Sequence, residues 1–201
     1  MKQFHCECGN TLFFENTLCL QCGRAVGFDL AQNKMRPVTE MFLRCQNGTD
    51  FGACNWLVPS PSSDYCLSCR LNHTIPNLAG PQNLEAWRRM ERAKRRVVYT
   101  LAKLGIAPFS KTDDQQGVAF DFLTPTPDLR VITGHEAGVI TVNTLEADDY
   151  YRERERHLLG EPYRTLVGHF RHEMGHYYWD RFFLGRANDD ARLTELRDLW
   201  G

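Results

Sequence analysis

Apolar side chains recur three and four positions apart at Leu84, Trp87, Met90, Val97, Leu101 and Leu104, and Gly105 supplies a stop. This is the spacing of a helix with one buried face. A second helical pattern begins near Glu161-Pro162, with proline suited to a first turn, and places Leu166, Val167, Phe170, Met174, Tyr177 and Tyr178 on one packing side. Between the two helices the pattern becomes extended. Val118 to Leu123 alternates around Phe120 and Phe122, while Leu129 to Thr133 and Val139 to Val142 are rich in β-branched residues, with Gly134 and Gly138 expected to bracket the turn. Glu146 to Leu159 reads as a charged helix closed by Gly160. Upstream, Asn10 to Phe14 and Met41 to Leu43 predict short strands. The order helix, strands, helix, helix points to an α+β fold. The stretch NHTIPNLAGPQ, from Asn72 to Gln82, marks an extended connection, so two domains are expected, at 1–75 and 83–201.

The first of these domains has too few apolar residues for a core of its own, and its cysteines change the picture. All eight in the chain lie between Cys6 and Cys69. Cys6, Cys8, Cys19 and Cys22 form one quartet, and Cys45, Cys54, Cys66 and Cys69 form a second. A CxxC turn lets two thiolates converge on one ion, and a second pair from an adjoining hairpin closes a tetrahedral shell, so each quartet suits one structural zinc. Cys19-Leu20-Gln21-Cys22 and Cys66-Leu67-Ser68-Cys69 echo each other, which supports two related ribbons in which metal replaces missing core, with pairing across the quartets as the less favoured alternative. His5 and His73 stand beside cysteines but are expected to face solvent.

With 201 residues and a formal charge of -1, the chain lacks the basic footprint of a dedicated nucleic-acid binder. The local run Arg88, Arg89, Arg92, Lys94, Arg95 and Arg96 is expected to be a solvated helix face diluted by Glu85 and Glu91. No apolar run approaches the roughly 18 residues of a membrane span, and the start MKQFHCECGN has no secretory h-region, so a cytoplasmic location is expected. A reducing compartment favours metal thiolates over disulfides.

The densest chemistry lies in GHFRHEMGHYYWD, Gly168 to Asp180. His172-Glu173-Met174-Gly175-His176 is HExxH, which sets two imidazoles about 40° apart and one turn apart on one helix face. Both can grip one zinc, and Glu173 on the neighbouring face is placed to serve as general base. Gly168 and Gly175 fall near that face, where a strand or loop is expected to approach. His169 is about 10.5 Å along the axis from His176, too far for all three histidines to hold one ion. It is read either as a satisfied core histidine, the slightly favoured reading, or as a residue facing substrate. Asp180, one turn after His176, is expected to orient that imidazole. An extended metzincin motif is excluded by Trp179 and Phe182 where glycine and the third histidine belong.

Taken with CECGNTLFFEN (Cys6 to Asn16), CLSCRLNHTIPNL (Cys66 to Leu78), MERAKRRVVYTL (Met90 to Leu101), TGHEAGVITVNTLEADD (Thr133 to Asp149) and EPYRTLVGHFRHEMGHYYWD (Glu161 to Asp180), the chain resembles a bacterial family of zinc metallopeptidases with an N-terminal zinc ribbon. The resemblance implies a double zinc ribbon followed by a zincin-like domain with a small sheet and an HExxH helix. It also implies three zinc ions, two structural and one catalytic, with His172 and His176 as ligands of the last and Glu173 as base. The strand near Gly138 to Asn143 would hold an extended peptide substrate. The expected acidic third ligand is missing before the chain stops, which suggests C-terminal truncation. Glu195 and Asp198 are the carboxylates in the available tail, each better explained as solvated. The alternative is a module binding protein, or less favourably nucleic acid, through its ribbons, with an incomplete peptidase-like domain.

Overall fold

The structure is a computed structural model that describes residues 2–183 and 191–200. Strands β1 (Gln3–His5) and β2 (Thr11–Phe13) form an antiparallel hairpin, followed by the Cys19–Cys22 knuckle and a second hairpin of β3 (Val26–Asp29) and β4 (Lys34–Pro37). A third pairs β5 (Phe42–Arg44) with β6 (Leu57–Pro59) around the short helix α1 (Gln46–Phe51). The strand expected at Met41 begins one residue later, leaving Met41 exposed at the hairpin end. These ribbons are joined by the rings of Phe14, Phe28 and Trp56, with Phe14 and Phe28 centroids 4.8 Å apart. Gly27 is required at that seam, because a Cβ there would lie 2.6 Å from the Asn55 carbonyl oxygen.

A three-residue strand, β7 (Asn72–Thr74), follows a 3-10 turn at Cys69–Leu71 and leaves the ribbons. It pairs in parallel with β8 (Ala119–Leu123), which pairs in parallel with β10 (Val139–Asn143); β9 (Gly134–Glu136) runs antiparallel to β10. The sheet order is therefore β7-β8-β10-β9. Its outermost strand comes from the cysteine-bearing segment.

Helix α2 (Pro81–Lys103) starts from Gly80 with proline in its first turn and lays Trp87, Met90, Val97 and Val98 into the core. Its Tyr99 ring lies 5.1 Å from Phe14, so the helix closes over the ribbons as well as over the sheet. The basic stripe is only partly a solvated face: Arg89, Arg92 and Arg96 are exposed, but Lys94 and Arg95 are not. Lys94 is fully buried with Glu91, and Arg95 is buried against the Ala53 carbonyl and Glu15. Arg88, Arg89 and Arg96 also have partners within the molecule. An apolar stripe with interleaved charges looks the same in sequence whether the charges meet water or an internal acid.

Three further expectations are corrected. Leu129 to Thr133 is not a strand: Asn143 donates to the Val131 carbonyl and its N–H donates to Thr133 Oγ1, so side chains replace a ladder. Strand β9 begins at Gly134, and the turn falls at Ala137-Gly138, both with positive φ. The helix expected from Glu146 is split into a 3-10 turn (Thr144–Ala147) and α3 (Asp149–Leu159), because Asp148 caps α3 by accepting from the Tyr151 N–H. The last long helix, α4 (Leu166–Phe183), starts four residues after Pro162, where Thr165 Oγ1 accepts from the Gly168 N–H. Helix α5 (Ala191–Trp200) follows. Among the described residues no helix is long and apolar enough to cross a membrane.

Candidate metal centres and peptidase site

The two quartets assemble as the spacing predicts, without crossing. In each, four sulfurs lie within 4.8 Å of one another, and none is in a disulfide. This donor set, with four soft ligands converging from two turns, fits one tetrahedral zinc apiece. The first quartet is partly open at Cys8 and Cys22, with Asn10 Nδ2 donating to Cys19 Sγ at 3.5 Å. The Cys22 backbone N–H draws the Cys19 thiol down to about 6 against the cost of burial. The second quartet is wholly buried beneath α2, where Cys69 Sγ lies 3.8 Å from Glu91 Oε2. Burial opposes the Arg95 charge, but Cys54, Glu15 and Glu91 outweigh it and hold the guanidinium protonated. The second quartet thus sits beside charges carried by α2. His5 and His73 are exposed, and His73 pairs with Asp121 at 2.7 Å.

In α4 the buried side is Phe170, Met174 and Tyr177, with Phe170 centred 5.7 Å from Phe120 of the sheet. That packing turns His172 and His176 outward, their Nε2 atoms 3.0 Å apart and their rings nearly perpendicular. Two nitrogens each about 2 Å from a shared ion must lie within about 4 Å of each other, so this pair fits a single zinc. Glu173 is 8% exposed and faces, with both His172 and His169, a cleft of about 370 Å³ whose other walls include Thr133, Tyr163 and Arg164. A larger recess, about 570 Å³, lies between α2 and the 3-10 turn, but no histidine or cysteine lines it.

No third His, Cys, Asp or Glu among the described residues joins His172 and His176 within ligand reach. Glu195 and Asp198 are exposed on α5. Asp180 does not approach His176 as expected. Its Oδ2 lies 3.7 Å from Nδ1 of His135, whose Nε2 accepts from the Gly138 N–H. The carboxylate, one turn beyond His176, is drawn to the β9 hairpin instead. Gly175 is not a point of close approach either, since a Cβ there would meet nothing within 4 Å. Strand β10 has β8 and β9 on its two sides, so β9 carries the open edge, not the Gly138–Asn143 stretch.

Sequence reasoning missed a buried group behind the cleft. Glu146 accepts from Arg164 Nη2 at 2.8 Å, Arg164 also donates to Glu161, and Nδ1 of His169 lies 3.4 Å from the second Glu146 oxygen. Its members come from three separate segments, so no local pattern in the sequence marks it.

A zinc-ribbon unit carrying two cysteine centres and an α+β unit with a paired-histidine helix define the class. Residues 83–201 match the family described as "Putative zinc-binding metallo-peptidase", and residues 3–80 match a zinc-ribbon domain. The chain belongs to that metallo-peptidase family. It is 40% identical over 201 residues to the uncharacterized protein Rv2568c of Mycobacterium tuberculosis, and equally so to the uncharacterized protein Mb2598c of Mycobacterium bovis. Each comparison covers 98% of this chain, which spans 58% of the relative's length. No solved structure matches the chain.

Proposed function

We propose that the chain carries the hydrolytic site of a zinc-dependent peptidase, with His172 and His176 as metal ligands and Glu173 as general base. The observation that carries this reading is the 3.0 Å approach of the His172 and His176 Nε2 atoms, with His172 lining the same cleft as the largely buried Glu173 carboxylate. Zinc held there supplies a Lewis acid that polarises a peptide carbonyl and acidifies water. Glu173 then takes a proton from the water as its oxygen bonds to the carbonyl carbon, and passes a proton to the departing amine as the C–N bond breaks. The substrate is a peptide or protein, and the open edge of β9 offers main-chain groups to an extended segment of it. The cysteine quartets hold two further zinc ions that maintain the ribbons, and the ribbons are the surface for any protein partner. Eight unpaired cysteines accord with a reducing compartment, so we assign the protein to the cytoplasm.

Glu173→Gln tests the base. The variant is expected to retain the zinc content of the parent while hydrolysis of a mixed-sequence peptide library drops at least about 100-fold. Cleavage at the parental rate would remove Glu173 from the mechanism. Metal analysis checks the ion count: His172→Ala is expected to lower it by one zinc per chain and leave the cysteine sites filled.

A further inference from the structure

Behind the cleft, Glu146 is 3% exposed and its Oε1 is held by Arg164. Its Oε2 and His169 Nδ1 are both buried, neither has a hydrogen-bond partner, and they lie 3.4 Å apart. A bare ring nitrogen beside a carboxylate oxygen is repelled, whereas the positive end of an N–H there is attracted to it. The proton of a neutral His169 therefore belongs on Nδ1. Arg164 lies between Glu146 and Glu161, so the acid is already balanced and the imidazole is not required to be cationic. With Nδ1 occupied, Nε2 is a bare acceptor on a ring that lines the cleft alongside His172 and Glu173.

We infer that His169 is a substrate-binding residue, held by Glu146 in its Nδ1–H form so that Nε2 accepts a hydrogen bond from a main-chain N–H of a peptide lying in the cleft. The inference rests on the reading of this cleft as a peptidase site and adds to it the group that grips the substrate backbone. Nothing about the Glu173 step needs His169, since it lies about 10.5 Å along the helix from His176 and outside any shared shell. Burial also lowers the pKa of His169 despite the Glu146 charge, in keeping with a neutral ring.

Two probes and two variants test it. Acetohydroxamate binds a metal through its own oxygens and carries no peptide beyond them, whereas a hydroxamate-capped tripeptide adds main-chain N–H groups. In the zinc-loaded chain, His169→Ala is expected to weaken the tripeptide probe about tenfold while leaving acetohydroxamate affinity and zinc content unchanged. His169→Gln, which returns an acceptor near the place of Nε2, is expected to recover most of the loss. Long-range 1H–15N spectra of the unsubstituted chain should show His169 protonated at Nδ1, with its Nε2 resonance moving on addition of the tripeptide probe. This last readout does not depend on any variant folding. A ring protonated at Nε2, an Nε2 signal that does not move at saturation, or an equal loss of both probes in His169→Ala overturns the assignment while leaving the metal site standing. Failure of both probes to bind the zinc-loaded parent overturns the peptidase reading itself, and His169 with it.

Discussion

Two histidines in the C-terminal half, His135 and His169, are both pushed by burial below the ordinary histidine pKa, against the pull of Asp180 and Glu146 respectively. The unfolded chain therefore binds more protons than the folded one just below pH 6.5, and stability rises with pH through that window. Their contribution is complete above about pH 6.5 and is lost as pH falls towards the lowered folded values. Thermal melts at pH 7.5 and 5.5 should show a smaller acid-induced drop for His135→Gln/His169→Gln than for the parent, and an identical drop would show that neither ring is held neutral. At this scale the approach of His172 to His176 was legible, because residues four apart share a helix face at 3.6 residues per turn. Glu146, Arg164 and the His135–Asp180 pair were not, because each contact joins residues 18 or more positions apart, or strand to helix, and no local period encodes it.

Helix α2 carries an acid and two bases on a face that meets almost no water. Glu91 Oε1 lies 2.7 Å from Lys94 Nζ, accepts from Asn72 at 2.9 Å, and the ammonium sits 5.3 to 5.4 Å from the rings of Phe120 and Phe122. Removing one partner strands the other charge in the core. Glu91→Ala should destabilise the protein by about 3–5 kcal/mol in urea unfolding, whereas replacing both as Glu91→Leu/Lys94→Met should leave stability near the parent value. Two additive losses in that cycle would mean the charges do not act as a pair. The helix itself was legible from Leu84 to Leu104, and its observed bounds, Pro81–Lys103, differ only at the ends. The fate of its charges was not, since that depended on Asn72 and the second quartet arriving from elsewhere. The β-branched run before Gly134 misled for a related reason: Asn143 satisfies its backbone through a side chain.

Across the whole molecule, the cysteine quartets are unequal. The first is partly open at Cys8 and Cys22, whereas the second is buried under α2 and its last cysteine leads through a 3-10 turn into β7. Loss of metal should therefore have different reach. Cys69→Ser is expected to raise amide hydrogen exchange in β8 and α2, while Cys22→Ser raises it mainly in residues 3–25; equal responses of β8 would show that the second centre does not brace the sheet. The α+β order and both quartets could be read from the chain because they depend on spacing. The union of the two halves could not, because β7 is only three residues long and sits in a stretch whose proline, glycine and asparagine signal a connector. Anyone trimming the protein to its C-terminal unit inherits this join. A cut made at the obvious composition break takes away an outer strand and bares the flank of β8 to neighbouring copies. The shortest soluble version must begin upstream of Asn72 or bring a replacement for what was removed.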